Sequence, residues 1–161
     1  KTRCERCAAT TPANIFSKKE ITIESGQPYR VLVIDDDPDV LALICAQLKP
    51  AGYRVMVGRG GSEALRMAVV EPPDVILCDL MMPDVDGITV IKKLRGDPRC
   101  TTIPVIFSTG SNDATTRRRI REITAIEPLI KPFSGNKLRA AVETSLAAKN
   151  PPVAKTSVVV S

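Results

Sequence analysis

The chain has 161 residues, a net charge of +5, three Phe, two Tyr, no Trp and no His. That length suits one domain, with a core built mainly from Val, Ile, Leu and Ala. No apolar run approaches the roughly 20 residues of a membrane span, no signal-peptide pattern opens the chain, and the modest charge lacks a nucleic-acid reading motif. Five cysteines scattered over separate segments do not make a disulfide framework, so the cytoplasm is the expected compartment.

Residues 1–28 mix Thr, Ser, Lys and Pro with little periodicity and read as an extension or linker, with at most local structure around Ile21-Thr22-Ile23. The first residue is Lys1 rather than Met, which suggests a fragment of a longer protein. Cys4-x-x-Cys7 has the spacing of half a zinc site. Zinc takes four ligands, and the remaining cysteines lie in separate elements, so no metal site is expected from this pair within the chain.

From Tyr29 the pattern tightens. Val31 to Ile34 reads as a first strand, and Pro38 opens a helix on which Val40, Leu41, Ile44, Cys45 and Leu48 recur at helical spacing. Pro50 and Gly52 stop it. A second strand is predicted over 53–57. Gly58-Arg59-Gly60-Gly61 lacks the GxxxxGK[ST] phosphate-loop pattern and serves as a connection to a helix from about Ser62, with Ala64, Leu65 and Ala68 facing inward.

After Pro72-Pro73, Val75 to Cys78 has the length and bounding residues of a buried strand that ends on Asp79. Met82-Pro83-Asp84-Val85-Asp86-Gly87 is turn chemistry. A third helix runs from about Gly87 to Arg95 and ends at Gly96-Asp97-Pro98. A fourth strand leads from Ile103 to Thr109, and a helix follows over about 113–123. Its Arg117, Arg118, Arg119 and Arg121 read as a solvated face. Leu129-Ile130 is a short fifth strand, a fifth helix covers about 135–148, and residues 149–161 read as a tail.

Five strands alternating with helices predict an α/β fold: a doubly wound parallel sheet with right-handed crossovers and helices on both faces. Ligands of such sheets bind at the C-terminal strand ends. Those ends carry Asp35, Asp36 and Asp37, then Asp79, then Thr109, then Lys131. Crowded carboxylates repel one another unless a cation intervenes, and a hard divalent ion such as Mg²⁺ takes oxygen ligands. Carboxylates, hydroxyl and ammonium around such an ion suit phosphoryl transfer, with Asp79 as nucleophile.

Val-Leu-Val-Ile-Asp-Asp-Asp-Pro, Cys-Asp-Leu-Met-Met-Pro-Asp-Val-Asp-Gly, Pro-Val-Ile-Phe-Ser-Thr-Gly and Ile-Lys-Pro-Phe, in that order, resemble the receiver domain of bacterial two-component response regulators. The resemblance covers residues 29–148. It implies a flavodoxin-like (CheY-like) sheet of order 2-1-3-4-5. It also implies phosphorylation of Asp79 by a sensor histidine kinase or phosphotransfer protein, and a downstream protein or output domain that reads the change. The implied Mg²⁺ ligands are Asp35, Asp36, Asp79 and the Met81 carbonyl, and the implied catalytic residues are Asp79, Thr109 and Lys131. The domain would be no enzyme beyond its own phosphorylation and dephosphorylation. The resemblance also implies a cis Lys131–Pro132 peptide and makes Met81 and Ser111 candidates for setting phosphoryl lifetime, with Met81 as an apolar shield.

Rival readings fail at particular positions. A haloacid-dehalogenase-like motif on Asp35-x-Asp37 needs Thr or Val where Asp39 stands. A calcium loop from Asp35 needs Gly where Val40 stands and Glu where Ala46 stands. The alternative that remains is a receiver-like scaffold without phosphorylation. One position departs from the family: Pro128 stands three residues before Lys131, where receivers usually carry Tyr or Phe. A ring switch is therefore not expected, and the loop at 109–111 with the Arg-rich helix is the expected route for a signal.

Overall fold

A computed structural model describes residues 27–149. Cys4, Cys7, Ile21–Ile23 and most of the expected extension and tail lie outside the described residues. The strands are β1 (Arg30–Ile34), β2 (Arg54–Gly58), β3 (Val75–Asp79), β4 (Val105–Thr109) and β5 (Leu129–Ile130). They alternate with α1 (Pro38–Leu48), α2 (Gly61–Val70), α3 (Gly87–Arg95), α4 (Ala114–Arg121) and α5 (Gly135–Lys149). All pairings are parallel and the order is β2-β1-β3-β4-β5, as expected.

The period-2 geometry of strands splits the core into two layers. Leu32, Ile34, Ile76, Cys78, Val105 and Phe107 point to the face covered by α2, α3 and Ile120 of α4. Val31, Val33, Val75, Leu77 and Ile106 point to the other, against Leu41, Ile44 and Leu48 of α1 and Leu138, Val142 and Leu146 of α5. With helices on both faces, β3 and β4 are buried at every residue, so they read as unbroken apolar runs.

Several boundaries differ from the expectation, each for a local reason. The β2 ladder runs from Arg54 to Gly58 rather than 53–57. The Tyr53 N–H instead bonds Leu48 O (3.2 Å) in the turn after α1, while Gly58 O accepts Asp35 N–H (3.3 Å). Gly52 has φ +94°, a conformation glycine adopts without strain, and it allows that turn. The β4 ladder starts at Val105 because Pro104 has no N–H, although Pro104 O still accepts from Ile76 (3.0 Å). Leu65 and Cys45 are only partly buried, whereas Ala64 and Ala68 reach zero exposure. Cys100, in a loop, is buried, with its thiol 3.7 Å from Ala68 O.

The strand order places the topological switch between β1 and β3. Their outgoing connections diverge to opposite faces there, leaving a crevice beyond the strand ends.

Candidate functional site

Asp35 ends β1 at 2% exposure and Asp79 ends β3 at 5%, both beside that crevice. Adjacent strands in register put them side by side: Ile34 pairs with Cys78, one residue before each. Asp36 is exposed beside them. One carboxylate oxygen from each of Asp35, Asp36 and Asp79 lies within 4.8 Å of the others. The third strand end is Thr109, buried on β4 next to β3.

Lys131 follows β5, and its N–H bonds Thr109 O (2.8 Å), which ties it to the same edge. Its ammonium reaches Asp35 Oδ2 at 3.0 Å and Asp79 Oδ1 at 3.1 Å. The Lys131–Pro132 peptide is cis, as expected. Four positions up to 96 residues apart in sequence thus converge on one spot.

The electrostatics follow from burial and neighbours. Desolvation raises the pKa of Asp79 above the ordinary carboxylate value; Lys131 pulls it down, and Asp35 and Asp36 push it up again. Burial opposes the Lys131 ammonium, but its hydrogen bonds to Asp35 and Asp79 prevail and hold its pKa above the ordinary lysine value. Three carboxylates against one ammonium leave negative charge uncompensated. A set of hard, converging oxygen donors with a surplus of negative charge fits a hard divalent cation.

Local hydrogen bonds shape the rest. Asp35 Oδ1 accepts Asp37 N–H (2.9 Å), and Asp37 caps α1 by accepting from Asp39 (2.9 Å). Asp37 is therefore a helix cap, which explains why three successive acids need not all be ligands. Met81 pairs with Asp86 in an antiparallel bridge, and Gly87 N–H bonds Leu80 O (2.9 Å), closing the loop after β3. A Cβ on Gly87 would stand 2.2 Å from Asp79 O, so only glycine permits this close return. Met81 itself is 68% exposed. Its backbone is held by the bridge while its side chain projects from the loop.

The chain matches the response regulator receiver domain family over residues 31–143. The chain belongs to that family. Among its relatives, it is 38% identical over 117 residues to the DNA-binding dual master transcriptional regulator RpaA of Synechocystis sp., covering 73% of this chain and 48% of that one. It is 38% identical over 122 residues to the transcriptional regulatory protein KdpE of Mycobacterium tuberculosis, covering 73% and 53%. The receiver thus spans about half the length of these two regulators. In three dimensions it is similar to the chemotaxis protein CheY4 of Vibrio cholerae, with a TM-score of 0.71 and 27% identity, covering 74% of this chain and 99% of that one.

Two features of this receiver were not foreseen from its sequence. The Thr109 hydroxyl oxygen accepts Ser111 N–H (3.1 Å), the Ser111 hydroxyl donates to Asp113, and Asp113 caps α4 by accepting from Thr116 N–H (2.8 Å). A continuous hydrogen-bonded path therefore runs from Thr109 to α4. The second is an ion pair between Arg119 of α4 and Asp86, on a helix face expected to be solvated throughout. Asp86 before Gly87 had the sequence signature of a helix cap, but nothing local pairs it with a residue 33 positions away.

Proposed function

We propose that residues 29–148 form a phosphoacceptor receiver, flanked by an extension (1–28) and a tail (149–161), in the cytoplasmic part of a two-component pathway. The observation that carries this is the Asp79 carboxylate, sunk at the end of β3 with the Lys131 ammonium at 3.1 Å and two further carboxylates beside it. The donor would be a phosphohistidine on a sensor histidine kinase or phosphotransfer protein. A downstream protein or an output domain would read the result.

In the reaction an Asp79 oxygen forms a P–O bond as the P–N bond to the donor imidazole breaks, and the imidazole nitrogen keeps the electron pair. Lys131 moves from its hydrogen bond with Asp79 to a phosphoryl oxygen, offsetting charge where it develops. Thr109 keeps its hydroxyl proton, because its oxygen is the acceptor toward Ser111, and can donate it to a second phosphoryl oxygen. Asp35, Asp36, Asp79 and the Met81 carbonyl would hold Mg²⁺, which supplies charge neutralisation for the transferring group.

The test is labelling of the chain by a small phosphodonor. Asp79→Asn and Asp36→Ala are expected to abolish Mg²⁺-dependent labelling, and the pair Asp35→Ala, Asp36→Ala guards against one acid replacing the other. Undiminished labelling of these variants, or labelling in EDTA, would sink the proposal and favour a scaffold without phosphorylation. The route out of the site is proposed to be the path from Thr109 through Ser111 and Asp113 to α4, since Pro128 offers no ring. A beryllofluoride phosphoryl mimic is expected to shift amide resonances of residues 110–121. Large shifts confined to 128–130 would contradict that route.

A further inference from the structure

The loop from Leu80 to Gly87 carries the Met81 carbonyl, and Asp86 is its corner. Asp86 Oδ1 accepts Ile88 N–H (2.9 Å) and caps α3, its backbone bridges Met81, and its Oδ2 pairs with Arg119. The neighbouring Gly87 passes so close to Asp79 O that an added Cβ would stand 2.2 Å from it. The corner is therefore fixed from inside by α3 and from outside by one side chain of α4.

That side chain differs from the other arginines of its helix. Arg118 pairs with Glu122 at the C-terminal end of α4 (3.8 Å), and Arg117 and Arg121 pair with Glu127 in the segment before β5 (3.5 and 3.3 Å). Among the described residues, Arg119 is the α4 arginine whose ion pair reaches the loop beside Asp79. Only Ile120 of α4 is buried, so a polar tie is a large part of what holds this helix in place.

We propose that Arg119 is a positioning residue: through Asp86 it sets the Met81 segment and couples the placement of α4 to cation binding at Asp35, Asp36 and Asp79. The inference rests on the function proposed above, in which that site holds Mg²⁺. Coupling of this kind is reciprocal. A cation that orders the loop steadies α4, and a partner that draws Arg119 away loosens the cation.

The experiment titrates the chain with Mg²⁺ alone, read by calorimetry and by amide resonances of residues 80–87. Arg119→Ala is expected to weaken Mg²⁺ binding by about two- to fivefold, the scale of a half-exposed ion pair. Arg119→Lys restores part of the loss, and Arg118→Ala leaves the affinity unchanged. Asp86→Asn, which keeps a capping oxygen, costs as much as Arg119→Ala, and the two together cost no more than either. Equal Mg²⁺ affinity in Arg119→Ala and the unaltered chain would overturn the coupling. A second arm needs no variant: Mg²⁺ is expected to slow amide exchange across 114–121 in the unaltered chain, and unchanged exchange there despite bound Mg²⁺ would also overturn it. An unaltered chain that binds no Mg²⁺ would instead defeat the proposed function itself.

Discussion

Helices α3 and α4 follow the neighbouring strands β3 and β4 and are held in opposite ways. Each begins with an aspartate cap, Asp86 for α3 and Asp113 for α4. From there they part. In nine residues α3 buries Gly87, Ile88, Val90, Ile91 and Leu94; in eight residues α4 buries only Ile120. What secures α4 is polar: the cap, the Arg119–Asp86 pair, and Arg95 donating to Ile123 O (2.5 Å) just beyond its end. Buried apolar area is non-directional and lost only by unpacking, whereas a hydrogen bond or ion pair can be exchanged for water at modest cost. The lesson is one of division of labour. A fixed helix anchors the loop that follows Asp79, and a loosely packed one next to it can shift.

The sharpest way to break this comparison is to remove packing from the fixed helix. Ile91→Ala leaves a cavity in the layer of Leu32, Ile76 and Phe107 and is expected to cost about 2–5 kcal/mol of global stability. Calorimetric or denaturant unfolding measures it, and a loss below about 1 kcal/mol would show that α3 is not the anchor. A smaller and local effect is expected from Arg95→Ala. Loss of its bond to Ile123 O should cost about 1 kcal/mol, felt as faster amide exchange in α4 with α3 unchanged. Equal acceleration in both helices would argue against independent anchoring.

The smallest effect concerns acid. Hydrogen bonds from the Ser111 hydroxyl, then from Thr116, hold the Asp113 carboxyl well below the usual carboxylate range. A depressed pKa contributes stability that is present above the unfolded value of about 3.9 and is lost as pH falls through the folded value. Acidification is therefore expected to leave the Thr116 amide resonance unchanged until well below pH 4 and then to release the start of α4. A midpoint near the ordinary value, seen by NMR, would show the cap to be weak.

Much of this was legible in the chain. The five β/α units follow from apolar runs of strand length alternating with helical periodicity, and both signals are local. Asp35, Asp36, Asp79, Thr109 and Lys131 were legible because each ends a predicted strand and parallel topology gathers strand ends on one edge. Boundaries were less so. Tyr53 left β2 for the turn after α1, and Pro104 cut β4 short, because hydrogen-bond partners come from other elements. The exposure of the Met81 side chain was not legible for a related reason: apolar character says what a side chain prefers, and the loop that carries it decides where it goes.

By itself the sequence determined the alternation, the order of the elements and the identity of the groups at the strand ends, since these depend on spacing along one chain. Only the tertiary structure decided that Lys131 sits between Asp35 and Asp79, and that Arg119, rather than another arginine of α4, pairs with Asp86. Those outcomes turn on distances between segments tens of residues apart. Charge and hydroxyl groups offer many partners of similar strength, and packing of the sheet and its helices selects among them.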